Sequence, residues 1–357
     1  MSGSSPSSSL VTSLPKVLIG GQEQDALRAD LQNLLIVEDT QGLYRCELTI
    51  NNWGSINNRV DFLYFDRRIV DFGKPLEIKL GDQKIFDGRI MALEGHFMEG
   101  ASPILTILAE DRFQDLRMTR RTRSFDQVSD ADVLNRIASD HHLSPDIQLT
   151  GPTYKLLAQV NQSDLAFARE RARAMEAELW LEGSTLHVSR RNDRNGATLD
   201  LAYGSGLRQF SASADLAGQR NSVIVTGWDV NAKDVIKYEA GDSVIGSELG
   251  NDQSGVSILR SALAERKETL AQTVPLASDE AQAVAEAYYR MAARRFVVGR
   301  GVANADARLR VGAHLNLTGL GPVFSGKYYV TEIRTIYDLE RGLRTEFTVE
   351  RPGIGRG

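Results

Sequence analysis

Val311-Gly312-Ala313-His314-Leu315-Asn316-Leu317-Thr318, then Val323-Phe324-Ser325-Gly326-Lys327, then Arg344 to Arg351, form a succession that occurs twice in this chain. The earlier copy reads Phe72-Gly73-Lys74-Pro75-Leu76-Glu77-Ile78-Lys79-Leu80, then Ile85-Phe86-Asp87-Gly88-Arg89, then Ile104 to Arg112. Each copy runs glycine, alternating strand, short turn, Phe-x-Gly-basic, long strand, polar turn, and a last strand ending in Glu-x-Arg or Glu-Arg. Apolar residues at every second position mark strands half buried against a core. Order and approximate spacing agree together, so the reading is a duplicated β unit. Gly88 and Gly326 head the shared Phe-x-Gly turn in this reading. The strands Tyr44 to Trp53 and Asn221 to Trp228 are added as a further correspondence, each ending near a tryptophan.

Outward from the repeat, Leu34-Leu35-Ile36-Val37, Tyr44 to Ile50, Gly88 to Leu93 and Ile104 to Leu108 read as short strands separated by Gly, Asn or Asp. The character changes after Phe125. Ser129 caps a helix with Val133, Leu134 and Ile137 on one face and Asp132 placed for a capping box. A second helix begins at Ser163, with Leu165, Ala168, Ala172 and Met175 at spacings of three and four. Glu178 to Glu182, Gly183-Ser184 and Thr185 to Ser189 then make a tight hairpin. Strands return near Leu199. A helical insertion at about 230–296 follows, with Ser278 as cap, Asp279 and Glu280 in the first turn, and Arg290, Arg294 and Arg295 in the last. Its apolar stripe is Ala281, Val284, Tyr288 and Met291. The β pattern resumes from about Leu309 to Val349.

The chain has 357 residues, 42% hydrophobic and 25% charged, enough for two or three domains with real cores. A net charge of −5 argues against a basic nucleic-acid grip. Cys46, the single cysteine, reads as a buried strand thiol and excludes an internal disulfide. The polar start, MSGSSPSSSL, lacks the order of a signal peptide, and no run approaches a membrane span. The expectation is a soluble chain made and assembled in the cytoplasm, without membrane insertion.

Motifs for chemistry are weak. Gly204-Ser205-Gly206 lacks the outer glycines of a nucleophile elbow and reads as a turn. His141-His142 belongs to no metal pattern and suits a helix C-terminus. His96, His187 and His314 lie far apart in strand-like stretches. Gly319-Leu320-Gly321 starts like a dinucleotide fingerprint, but Phe324 takes the third glycine position, so it reads as a loop without a following helix. Asn192 to Gly196 lacks the ligand spacing of a calcium loop. The basic run Arg117 to Arg123 reads first as a solvated linker and second as a subunit contact. No catalytic, cofactor or metal residue is assigned.

The repeat, the Ser163-Asp164-Leu165-Ala166-Phe167 helix and the hairpin together resemble the phage late control D family, the baseplate hubs of contractile tails. They also resemble the hub region of type VI secretion spike proteins. Ser124 to Val133 resembles the start of the family's middle domain, and Gly319 to Val330 its second barrel. Tyr44-Arg45-Cys46-Glu47 and Asn52-Trp53-Gly54 resemble hubs of extracellular contractile injection particles.

The resemblance covers about Leu14 to Pro352 and implies a β-rich α+β fold. Two related antiparallel β-barrel tube domains, at 16–113 and 199–352, flank a middle α/β domain at 114–198, with a flexible tail at 1–15 and a C-terminal tail at 353–357. It implies a structural protein and no enzyme: a homotrimer of pseudo-six-fold symmetry adapting a hexameric inner tube to a trimeric spike. Baseplate wedge proteins would lie outside and a tape-measure or cargo in the lumen, in a phage tail or tail-like particle. No OB-fold, needle or lysozyme region follows the second barrel, so the spike is expected as a separate chain. A ring of three chains with a duplicated unit presents six similar units, which suits a six-fold partner. Two rivals stand beside it, a β-rich receptor- or carbohydrate-binding tail module and a tail-tip cell-wall hydrolase. Exposed aromatic platforms would favour the first, and an acid/base constellation the second.

Overall fold

The structure is a computed structural model describing residues 14–56, 58–229, 232–270 and 275–356. Most of the expected tail at 1–15 lies outside these residues. Four buried apolar clusters organise the chain. One belongs to the first β unit, one to the middle segment, one to the second β unit and one to the insertion.

The first unit contributes β1 (Lys16–Ile19), helix α1 (Asp25–Ala29), β2 (Leu31–Asp39), β3 (Arg45–Asn51), β4 (Pro75–Leu80), β5 (Gln83–His96) and β6 (Ile104–Glu110). Its pairing order is β1-β4-β5-β6-β3-β2. The second unit contributes β7 (Thr198–Tyr203), β8 (Gly206–Ala214), β9 (Val297–Asn304), β10 (His314–Thr318), β11 (Gly326–Asp338) and β12 (Gly342–Arg351). Its order is β7-β10-β11-β12-β9-β8, the same sequence advanced by six.

The likeness extends to irregularities. A bulge falls between Leu31 and Asn33 in β2 and between Leu207 and Gln209 in β8, one rung from Ile50 and Ala303 respectively. Another falls between Ile90 and Ala92 in β5 and between Val330 and Glu332 in β11. Bulges are specified features that bend and twist a strand, so two shared positions are stronger than a shared strand pattern. Gly73 N–H donates to Ile90 O at 2.8 Å, and Gly312 N–H to Val330 O at 3.0 Å, which aligns the units residue by residue.

This register corrects the Phe-x-Gly correspondence. With Ile90 equivalent to Val330, Gly88 matches Tyr328 and the two glycines are out of step by two residues. Neither heads a turn. Gly88 lies inside β5, where a Cβ would meet the Glu110 carbonyl oxygen at 2.3 Å. Gly326 opens β11 at φ +145°, a conformation that favours glycine. The strand Ser222–Asp229, which carries Trp228, is not the counterpart of β3 either; β9 is. It pairs with Asp234–Gly241 and Lys267–Leu270 in a separate sheet covered by helix α4 (Ser278–Arg294), so the insertion is α/β and not helical.

Two antiparallel barrels were expected. The second unit does close, because β7 bridges to β8, but β7 runs parallel to both its neighbours. The first unit is open between β1 and β2. There α1 buries Leu27 against the core, and the free side of β2 pairs with β11 of the second unit. In α4 the cap position is Ala277, and Glu280 accepts from Leu276 N–H at 2.9 Å. The buried stripe runs through Ala281, Ala285 and Tyr289, shifted from the expected Val284, Tyr288 and Met291, which are half-buried. Gly321–Phe324 forms a single helical turn where a loop was expected. Gly353–Ile354 pairs with Gln253–Ser254, so this part of the expected C-terminal tail is tied down.

In the middle segment, Ser129 makes the full capping box with Asp132, and Ser163 accepts from Ala166 N–H at 3.1 Å. Gly183-Ser184 closes the hairpin between Ala177–Glu182 and Thr185–Arg190.

Candidate functional site

The joint between β2 and β11 fuses the two units into one antiparallel sheet of eight strands, in the order β5-β6-β3-β2-β11-β12-β9-β8. Cross-strand rows run over the joint without a break. One is Gln209, Val302, Glu346, Arg334, Val37, Arg45, Glu110. A second is Ser211, Arg300, Thr348, Glu332, Asp39. Apolar residues point from the opposite face into the two cores, so this face is left polar with charges of both signs. Burial pushes Asp39 above the usual carboxylate range, and the Glu332 charge across the joint adds to this.

Buried ion pairs lock the sheet to its surroundings. Glu38 of β2 meets Arg310 of the second unit at 2.5 Å. Burial raises the Glu38 carboxyl, and the guanidinium only partly opposes that. Arg194 donates to Glu178 at 2.9 Å while lying 4.0 Å over the Trp180 ring, and Tyr329 O–H donates to the same carboxylate at 2.5 Å. Arg294 of α4 bonds both Glu176 of the middle segment and Glu248 of the insertion. Such pairs cost much to desolvate but are strongly destabilising to break, so they fix geometry.

The basic run is no linker. Arg120–Val128 is a strand, Arg117 pairs with Glu110 at 2.5 Å, and Arg121 and Arg123 converge on Asp164 at 3.0 and 3.3 Å. His141, at the end of the helix Asp130–Asp140, places Nε2 2.8 Å from the same carboxylate. Burial would raise Asp164, but hydrogen bonds from His141, Gln159 and Arg121 outweigh it and hold the carboxyl low. His142 takes φ +54° just beyond that helix.

His187 stacks on Trp180 at 5.1 Å and bonds Asp146, His314 lies edge-on to Tyr329, and His96 ends β5. The structure therefore does not bring the histidines together. Gly204-Ser205-Gly206 is the turn between β7 and β8, and Asn192 begins its loop inside a 3-10 turn. Cys46 is buried, and its thiol is pushed up by burial. Among the described residues, no group of three His, Cys, Asp or Glu side chains could hold a metal ion. No helix there is long and apolar enough to cross a membrane.

One surface feature escaped the sequence reading. The hairpin Trp53–Ile56 and Arg59–Phe62 carries Trp53 edge-on to Phe62, and Phe62 contacts Phe65 and Phe97. Phe97 is 64% exposed and Trp53 and Phe65 37% each, so this is an open apolar patch. Its signal was the density of aromatics from Trp53 to Phe72 between strands.

This arrangement is the fold of phage tail proteins. A 43 kDa tail protein of prophage MuSo2 from Shewanella oneidensis superposes with a TM-score of 0.71 at 9% identity, over 95% of this chain and 98% of that one. A tail protein from Neisseria meningitidis MC58 gives 0.68 at 13%, over 96% and 97%. A type VI secretion component from E. coli, itself described as similar to bacteriophage T4 tail proteins gp27 and gp5, gives 0.55 at 12%, over 96% and 79%. The Alg8 N-terminal domain family matches residues 9–338, and the chain belongs to that family. Comparison with curated proteins finds no match.

Proposed function

We propose that this chain is the structural hub of a contractile phage tail or tail-like injection particle and not an enzyme. Three copies form a ring of pseudo-six-fold symmetry, each unit being one tube-like domain of the late control D kind. One face receives the hexameric inner tube and the other seats a trimeric spike. Wedge proteins contact the outside, and tape-measure or cargo passes through the lumen. The observation that carries this reading is the duplicated six-strand unit fused into one eight-stranded sheet. It gives one chain two near-equivalent surfaces, as a three-to-six adaptor requires. The tail-protein fold supports it. An obligate ring of this kind buries on the order of 2,000 Å² or more per interface.

Electron micrographs of the chain mixed with hexameric tube protein and trimeric spike test it. Stacked tube–ring–spike particles are expected; a chain that joins neither partner contradicts it.

The aromatic patch at Trp53, Phe62, Phe65 and Phe97 favours a second reading, a receptor- or carbohydrate-binding tail module. That reading predicts saturable glycan binding abolished by Trp53→Ala with the native mass unchanged.

A further inference from the structure

Two strand edges in the eight-stranded sheet have no partner among the described residues. Met91–His96 of β5 pairs with β6 only, because the ladder to β4 stops at Pro75 opposite Arg89. Gln209–Ala214 of β8 pairs with β9 only, because the bridge to β7 ends at Leu207. Exposed edges in monomeric proteins are usually blunted by charge or proline. Gln209-Phe210-Ser211-Ala212-Ser213-Ala214 carries neither.

The molecule already contains one completed joint of the required kind. In unit-to-unit register, β8 is the counterpart of β2, and β5 is the counterpart of β11. Inside the chain β2 pairs with β11, from Asp39 opposite Glu332 to Asn33 opposite Asp338. The two unpaired edges are therefore the counterparts of the two paired ones.

We propose that β8 of one copy pairs antiparallel with the second half of β5 of the next copy, in the register of the internal joint. Transferring the rungs sets Asp215 against Ala92, Ser213 against Glu94, Ser211 against His96 and Phe210 against Phe97. The last pair replaces Leu34 and Tyr337 of the internal joint. No like charges oppose each other in this register. A two-residue slip one way sets Asp215 against Glu94, and the other way sets Phe210 against Gly95 and loses the aromatic pair. The contact is head to tail, so repetition gives a closed ring when the rotation between copies closes, as the hub reading requires. It deepens the hub reading above and rests on it, naming the edges by which copies join.

The test uses full-length single-cysteine variants Ser213→Cys and Glu94→Cys, mixed and oxidised, with native masses measured beforehand. Cys46 is 1% exposed and stays out of the reaction. Directly opposed strand positions fall within disulfide reach, whereas diagonal ones lie about 7–8 Å apart. A ring mass with a disulfide-linked pair, formed at least about fivefold more than by Ser213→Cys with His96→Cys, is the expected result. A ring mass with the offset pair linking better, or with neither linking, overturns this joint and leaves the ring standing. A monomer mass without linking overturns the joint, and one that persists beside matching spike and tube proteins overturns the ring as well.

Discussion

The two β units share pairing order and two bulge positions but hardly a core side chain. In the first unit Leu34, Leu48 and Ile107 face one another across β2, β3 and β6; in the second, Phe210, Gly301 and Phe347 hold those rungs. Three mid-sized residues correspond to ring, nothing, ring. A Cβ on Gly301 would stand 2.4 Å from the Phe347 ring, and one on Gly299 2.4 Å from Phe210. The difference teaches that backbone register defines the unit, while the core drifts so long as its volume is kept.

The largest effect should come from importing one unit's residue into the other. Gly301→Leu places the first unit's residue where the Phe347 ring already sits, and should cost about 3 kcal/mol or more. The triple exchange Gly301→Leu, Phe210→Leu, Phe347→Ile should recover all but about 1.5 kcal/mol, read from denaturant midpoints. If it recovers nothing, the row-by-row equivalence fails.

Cutting the pair that joins the units comes next. Arg310→Ala leaves Glu38 buried without its cation and should cost about 2 kcal/mol near neutral pH. Burial already raises Glu38, so the cost should shrink in acid as that carboxyl takes a proton.

A third difference lies at the end of the last strand of each unit, where Asp111, one residue past β6, corresponds to Arg351, the last residue of β12. Asp111 accepts from Tyr44 N–H at 2.8 Å and Phe113 N–H at 2.9 Å, and burial pushes it up to about 7. The native state thus keeps a proton that the unfolded chain releases at lower pH. Stability from this group is fully present below the unfolded carboxylate value and falls as pH rises to about 7. Asp111→Asn should flatten that slope in urea titrations between pH 5 and 8, at a cost of about 1 kcal/mol for one lost bond.

The smallest effect belongs to the turns joining β5 to β6 and β11 to β12. Gly100 and Gly342 hold φ +75° and +67°, so alanine should cost about 1 kcal/mol at either. The two glycines stand two residues out of step in the shared register, so equal melting shifts would show that both turns need a left-handed residue without fixing where.

Strands with bulky inward residues, such as β3 and β6, were legible in the sequence because alternation shows when the core side is Leu or Ile. β9 was not, since its inward positions are Val297, Gly299, Gly301 and Ala303, and the volume sits on neighbouring strands. Arg120–Val128 was missed because its arginines meet Asp140 and Asp164 inside the molecule, so they imitate a solvated run. The duplication was legible as an order of elements, while its true register depends on bulges that leave no residue signature. The eight-stranded sheet depends on the joint of β2 to β11, which links residues about three hundred positions apart and has no local pattern.

The most direct test is the native mass of the purified full-length chain by light scattering, with negative-stain images of the same peak. Rings with a central hole, at three times the 39.4 kDa chain mass, are predicted. A monomer that persists at high concentration beside matching spike and tube proteins would contradict the account.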